Sequence, residues 1–404
     1  MSMHSTSVKS STLFPVANDA VASVLTPADR YSERTQLWNV FKLPSYWTGG
    51  RWVHLIHNWR TGGSSLTALL SVNFHDSYLK IGHPFTRTGW PVPYDLHPLQ
   101  ITEASQLHAW MNAQPKSCPA ILAGHTYGGM SSRLGLPDAD SWVTLREPAA
   151  RMNSGLLRFH RKPMRSDHPD GGYVGKTSGA TLSSKQEIID TAQARLSHEL
   201  NGMCRRLAGY NVASAADFTL QNLESQAELD QRPVDKTTFD LAMDRLRASK
   251  WIYLTEQVLF SILMLEQEYG LSPLLHPCSN LIHNQQWNAS GITRMQESLL
   301  THHRSVLEQL NPWDVQLYNE ANKLFWQRWK TMDIPPERIA ARRLLQSKPL
   351  LAPATIKMGA AAALKQIQSK IVFRASHADS PSIKKWILDD GLNAQFLAQP
   401  MSAS

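Results

Sequence analysis

Cysteine is scarce in this chain: Cys118, Cys204 and Cys278 stand far apart in 404 residues. Three cysteines without a CxxC pair give neither a disulfide framework nor a cysteine zinc site, and they fit a reducing compartment, by default the cytosol. Long apolar runs are missing too. The longest candidate, Trp251 to Leu265, is broken by Glu256 and falls short of the roughly twenty apolar residues a membrane span requires, so no integral membrane segment is expected. The N-terminus has one lysine before a weak apolar stretch that contains Asp19, a poor secretion signal. A Walker loop, G-x-x-x-x-G-K-[ST], is absent, which argues against an ordinary ATPase or GTPase. There is no internal repeat.

What is present is an ordinary globular composition, 42% hydrophobic and 18% charged. Lys and Arg outnumber Asp and Glu by 41 to 33, a net charge of +8 that favours anionic partners or simply keeps the surface solvated. No nucleic-acid recognition motif or basic-aromatic repeat accompanies that charge, so nucleic acid is not an expected partner. Nothing in the sequence sets an oligomeric state.

Residues 1–50 are polar and punctuated by proline, with one short helix expected from Pro27 to Leu43, and read as an N-terminal extension. From Arg51 to residue 332, strand-like runs alternate with helical patterns, the signature of a parallel sheet covered by helices. Strands are expected at Arg51 to His57, Ala120 to Gly124, Trp142 to Arg146 and Trp251 to Thr255. Helices are expected at Ser64 to Val72, Pro148 to His160, Ser184 to Leu207, Lys236 to Ser249, Gln257 to Tyr269, Thr293 to Leu310 and Pro312 to Met332. Residues 166–184, rich in Gly, Ser and Asp, have the composition of a loop or lid. Residues 333–404 change character and read as a basic helical C-terminal appendage.

The stretch HNWRTGGSSLTALL, starting at His57, joins a strand to a helix through one cation, two glycines and three hydroxyls. A helix N-terminus presents unpaired N–H groups and the positive end of the macrodipole. Gly62 and Gly63 let an anion approach closely, Arg60 adds a charged planar fork, and Thr61, Ser64 and Ser65 offer hydroxyls. Read structurally, Ser64 or Ser65 caps a helix and the glycines make a tight turn. A second stretch, WVTLREPAARMNS, ends a strand in Arg146, places Pro148 at the first turn of a helix and carries Arg151 and Ser154 along it. Arg146 and Ser154 together offer a second anion site; the bland alternative is a strand-to-helix connection with surface arginines.

Taken together, these segments resemble the sulfotransferases that use 3′-phosphoadenosine 5′-phosphosulfate, and in particular the carbohydrate-sulfotransferase branch with a HIPKTGGTSL signature. That signature stands here as His57 to Leu66. The family's LRDPVERFLS segment appears as Leu145 to Ser154, with Arg146 and Ser154 at the positions that grip the 3′-phosphate. WIYLTEQVLFSILML, from Trp251, is similar to the vGLTErfdesLlLL stretch. LNPWDVQLYNEANKLF, from Leu310, is similar to nxxDxxLYexAxxxF. The resemblance covers Trp52 to Trp329 and implies a three-layer, P-loop-like α/β fold with a mainly parallel central sheet. Two departures stand out: Arg60 replaces the family's lysine and Trp59 its proline. Arg and Lys are not interchangeable at a transferring group.

The resemblance implies in-line transfer of a sulfuryl group to a hydroxyl acceptor, expected to be a carbohydrate or a glycosylated metabolite, with no metal. Arg60, Thr61, Gly62, Gly63, Ser64 and Ser65 would hold the 5′-phosphosulfate, and Arg146 and Ser154 the 3′-phosphate. Arg60 would also neutralise the leaving oxygen. His125, in the turn AGHTYGG just beyond a strand, is the candidate base, because histidine titrates near neutrality. His57 is the next candidate. His276, Cys278 and His283 match no standard zinc spacing. Two other readings remain open: a non-catalytic nucleotide-binding module and a kinase-like nucleotide enzyme.

Overall fold

The structure is a computed structural model. It describes residues 52–62, 66, 69–70, 78–81, 120–124, 126–133, 136, 139–161, 184–209, 229, 232–271, 292–346 and 360–392. Among the described residues five strands form one sheet: β1 (Trp52–His57), β2 (Tyr78–Ile81), β3 (Ala120–Gly124), β4 (Asp140–Leu145) and β5 (Trp251–Leu254). Their order is β2-β3-β1-β4-β5, and every pairing is parallel. A parallel sheet needs crossover connections, and these put helices on its faces. Accordingly β5 and the interior of β1 are buried at every position, so odd and even residues both face packed material. The chain is thus α/β, as the alternation of strand and helix patterns implied. β2 is a strand that the pattern did not reveal; its four residues YLKI are too short and too polar to stand out.

Register is visible in the side chains. Trp142 lies opposite Trp251, their ring centroids 5.1 Å apart, and both are buried. Each indole N–H finds an acceptor, Tyr269 Oη for Trp142 and the Ser261 carbonyl for Trp251, both at 2.8 Å. A buried Trp needs such a partner, and here both acceptors come from the segment that follows β5.

Helices follow in chain order: α1 (Met130–Arg133), α2 (Pro148–Arg161), α3 (Lys185–Arg195), α4 (Gly202–Ala208), α5 (Lys236–Ala248), α6 (Val258–Tyr269), α7 (Ile292–Gln309) and α8 (Pro312–Thr331). Ser184 starts α3 with a reciprocal capping box with Glu187, and Asp235 caps α5 through Thr238 N–H. The single helix expected from Ser184 to Leu207 is broken. α3 ends at Arg195, a 3₁₀ turn spans Ser197–Glu199, and Asn201 takes a left-handed φ of 50° before α4 begins. A left-handed Asn tolerates the sharp change of direction, and the break carries Glu199 into the interior.

The C-terminal segment forms α9 (Pro336–Gln346), α10 (Ala360–Ser376) and α11 (Pro381–Leu392). α9 and α10 both pack on α11, and α9 docks on α6. There the fully buried Glu266 carboxylate takes a short hydrogen bond from buried Arg342 and lies 3.5 Å from Arg338. Among the described residues no helix is long and apolar enough to cross a membrane. The expected helix at Pro27 to Leu43, the loop at 166–183 and the His276, Cys278, His283 group lie outside the described residues.

Candidate functional site

In an all-parallel sheet the carboxyl ends of all strands open on one edge, and ligands of such folds bind there, in the crevice where the strand order reverses. β1 lies at that reversal, between β3 and β4. The residues leaving β1, β3, β4 and β5 at this edge are Asn58 to Gly62, Thr126 to Gly129, Arg146 to Pro148 and Thr255 to Gln257.

The β1 loop is fastened to β4 by a buried hydroxyl clasp. Asn58 N–H donates to Thr144 Oγ1 at 3.0 Å, and Asn58 Nδ2 donates to the Thr144 carbonyl at 2.7 Å. Thr61 Oγ1 donates to the Asn58 carbonyl at 2.7 Å and lies 2.6 Å from Thr144 Oγ1. Each hydroxyl has one proton, so Thr144 must donate to Thr61. Thr61 is fully buried. This corrects the expectation that its hydroxyl faces an anion: it is turned inward and shapes the loop.

Arg60 and Gly62 both have positive φ, 63° and 71°. The left-handed region costs a non-glycine residue about 1–2 kcal/mol. At Arg60 tertiary contacts hold it: Arg146 Nη1 donates to the Arg60 carbonyl at 3.1 Å, and Glu199 Oε1 stands 4.0 Å from Arg60 Nε. Gly62 is favoured for a second reason, since a Cβ there would sit tightly, 3.3 Å from Thr255 Cγ2 and 3.4 Å from Tyr253 Oη. Beyond it, Leu66 N–H donates to the Gly62 carbonyl at 3.2 Å, the first bond of a helical turn whose Leu66, Leu69 and Leu70 are buried.

Arg146 leaves β4 beside this loop, four-fifths buried. Burial pushes its guanidinium pKa down, while the carboxylates of Glu256 and Glu147 push it up. Its Nε is buried without a hydrogen bond; the nearby acceptor, Glu256 Oε1, lies 3.9 Å away. Glu256 is fixed from two sides, taking Glu147 N–H at 3.1 Å and Tyr318 O–H at 2.8 Å. Burial, with Glu256 beside it, drives the Tyr318 phenol far above its usual value, which keeps it a proton donor. Glu147 caps α2 through Ala149 N–H and Ala150 N–H. The amides at that helix N-terminus are therefore already occupied, and an anion at Arg146 would rely on the guanidinium and on half-buried Ser154, not on the macrodipole.

Arg151 is no surface arginine. It is fully buried, 3.0 Å from Asp314 Oδ2 and 3.8 Å from Glu199 Oε2, and it donates to the Glu199 carbonyl. Asp314 in turn accepts Met203 N–H and Cys204 N–H at the start of α4, while Asn201 Oδ1 accepts Trp313 N–H and Asp314 N–H at the start of α8. Two helix N-termini thus cap one another around a buried ion pair. Burial and the adjacent Asp314 push the Cys204 thiol well up, so it is an inert core group.

The four stretches singled out in the sequence therefore interlock. Arg146 of the second grips the loop of the first, Glu256 of the third holds Arg146 and meets Tyr318 of the fourth, and Asp314 of the fourth neutralises Arg151 of the second. Sequence reading missed Glu199 and Arg206. The Arg206 guanidinium lies 4.6 Å from the Trp59 ring centroid and 4.9 Å from that of Tyr127, so Trp59 packs against a cation. No local signal in the sequence marked them, because the apolar spacing runs unbroken through the turn that carries Glu199 inward.

The turn after β3 is equally fixed. Thr126 Oγ1 is 2.8 Å from Nε2 of buried His54, and Gly128 N–H donates to the Arg206 carbonyl at 2.7 Å. Gly128 is needed because a Cβ would fall 2.0 Å from the Leu207 carbonyl oxygen. His57, at the end of β1, lies opposite Thr144 and is half-buried. His125, Gly63, Ser64 and Ser65 lie outside the described residues. Comparison with family models, with curated proteins and with solved structures finds no match.

Proposed function

We propose that this chain is a sulfotransferase with a three-layer, P-loop-like fold, moving a sulfuryl group from 3′-phosphoadenosine 5′-phosphosulfate to a hydroxyl acceptor, of which carbohydrates and glycosylated metabolites are the proposed class. The observation that carries this reading is the hydrogen bond from Arg146 to the Arg60 carbonyl, which joins the two anion-binding stretches at one edge of a parallel sheet. One nucleotide could then touch both. The residues fit such a ligand: two partly exposed arginines, a glycine turn at positive φ, and a buried Arg146 Nε without a hydrogen bond. A strained non-glycine residue held by its surroundings is typical of functional loops.

In the proposed reaction the acceptor oxygen attacks sulfur in line and forms the new S–O bond. The bond from sulfur to the 5′-phosphate oxygen breaks, its electron pair leaving with the phosphate. The acceptor proton passes to a base, for which His125 is proposed. Arg60 neutralises the charge that grows on the leaving oxygen, and Arg146 with Ser154 holds the ribose phosphate, so catalysis is mostly positioning and electrostatics. A cytosolic location belongs to the same proposal and is supported by the sparse cysteines.

Thermal-shift measurements with adenosine 3′,5′-bisphosphate, ATP and GTP test the nucleotide, and transfer of labelled sulfate to glycans and small alcohols tests the reaction. Stabilisation by the bisphosphate alone together with labelled product is expected. Preference for ATP or GTP would refute the reading in favour of a kinase-like enzyme; bisphosphate binding with no transfer to any acceptor would leave a binding module.

A further inference from the structure

Glu199 is a buried acid that no motif pointed to, and the charges around it do not sum as a purely structural pair would. Arg151 and Asp314, 3.0 Å apart and both buried, already neutralise each other. Glu199, 3% exposed, adds a second negative charge to the same interior, and Arg60 is the cation on its solvent side. The two oxygens of Glu199 make no close contact with the basic groups around them: Oε1 is 4.0 Å from Arg60 Nε and 3.9 Å from the His198 ring Nε2, and Oε2 is 3.8 Å from Arg151 Nη1. Oε2 has no hydrogen bond. The attraction to Arg60 is therefore mainly Coulombic, with no fixed hydrogen-bond geometry to break.

The two side chains are buried to different degrees. The Glu199 carbonyl is gripped by Arg151, and its carboxylate sits over Gly155 of α2, where a Cβ would come within 3.1 Å of Oε2. The Arg60 side chain is 23% exposed. Arg60 therefore stands on the side from which an anion would arrive, and Glu199 lies behind it.

We propose that Glu199 is the resident counter-ion of the loop arginine: it holds the Arg60 guanidinium while the site is empty, competes with the ligand's phosphate for it, and so hastens release of the spent nucleotide. The mention of a nucleotide rests on the proposed function; the competition for Arg60 does not. Once sulfur has left, the 5′-phosphate gathers negative charge beside Arg60, and a carboxylate behind the same cation weakens its hold. Glu199 is a positioning residue, acting only through Arg60. Two like charges sharing one cation across a partly screened interior alter affinity on the order of tenfold.

The test is calorimetry on the full chain with two probes, adenosine 3′,5′-bisphosphate and inorganic pyrophosphate, with stopped-flow dissociation as the rate readout. Glu199→Gln should bind both roughly tenfold more tightly and release them more slowly, and the gain should vanish in an Arg60→Ala background. A merely structural carboxylate would not give tighter binding that depends on Arg60. Unchanged or weaker binding, or a gain that persists without Arg60, overturns the proposal. If Glu199→Gln fails to fold, Glu199→Asp decides: a carboxylate one methylene shorter holds Arg60 less closely, so a smaller tightening that again vanishes in the Arg60→Ala background is expected, and its absence overturns the proposal. Should the wild type bind pyrophosphate with the expected gain on substitution but ignore the bisphosphate, the counter-ion stands and the sulfotransferase reading falls. Binding of neither probe overturns both.

Discussion

Replacing Arg146 by alanine should separate two duties of one guanidinium. The first is structural: Nη1 donates to the Arg60 carbonyl, a charge-assisted bond of a kind that contributes about 1.5–3 kcal/mol. Partial exposure of Arg146 places the loss toward the lower figure. The second duty is ligand binding. Truncating one partner of a desolvated charge pair costs about 2–5 kcal/mol, which is at least about 30-fold in affinity. Because a loosened loop weakens every ligand, the clean quantity is a ratio. Adenosine 3′,5′-bisphosphate and adenosine 5′-phosphate differ only in the group that Arg146 is proposed to hold. In the wild type the bisphosphate should be preferred by about 30-fold or more, and in Arg146→Ala most of that preference should disappear, while Ser154→Ala removes a smaller part, about two- to tenfold, as fits one neutral hydrogen bond. Titration calorimetry of both ligands against the three proteins reads all of this. An undiminished preference in Arg146→Ala would refute the 3′-phosphate assignment, whatever happened to stability.

Two further outcomes follow from the same geometry. His125→Ala should leave bisphosphate affinity near wild type and lower sulfate transfer by about 10²–10⁴, the range of general-base catalysis; transfer at the wild-type rate would move the base elsewhere. The second concerns acid stability. Burial, reinforced by the charge of Arg245, pushes the His54 pKa from 6.5 down to about 4. The folded value lies below the unfolded one, so the neutral ring's contribution is complete above pH 6.5 and is lost as pH falls from there to about 4. Between neutral pH and about pH 5 this amounts to about 2 kcal/mol. Urea unfolding should show that loss in the wild type and a flatter profile in His54→Gln; equal slopes would show that His54 does not govern it.

Much of the scaffold was legible in the chain because its signals are local. A buried strand reads as a short apolar run, and β1, β3, β4 and β5 were all found within a residue or two. Pro148 and Pro312 begin α2 and α8, as a residue with no N–H to lose should. Gly62 was recognised as a turn residue and does take positive φ. The break between α3 and α4 was not legible: the apolar spacing runs on through it, and what stops the helix is Asn201, whose side chain is engaged by the start of α8, more than a hundred residues away.

The amino-acid order alone therefore determined where strands hand over to helices and which cations and glycines stand at those junctions, since propensity and periodicity act over a few neighbours. Tertiary structure decided what each side chain does there. Parallel register brought Thr144 beside Thr61 and turned that hydroxyl inward, the α2 amides were taken by Glu147, and Arg151 was drawn into the core by Asp314. The physical reason is that a buried charge or hydroxyl is tolerable only with a partner, and the partner comes from wherever in the chain the packed fold places one.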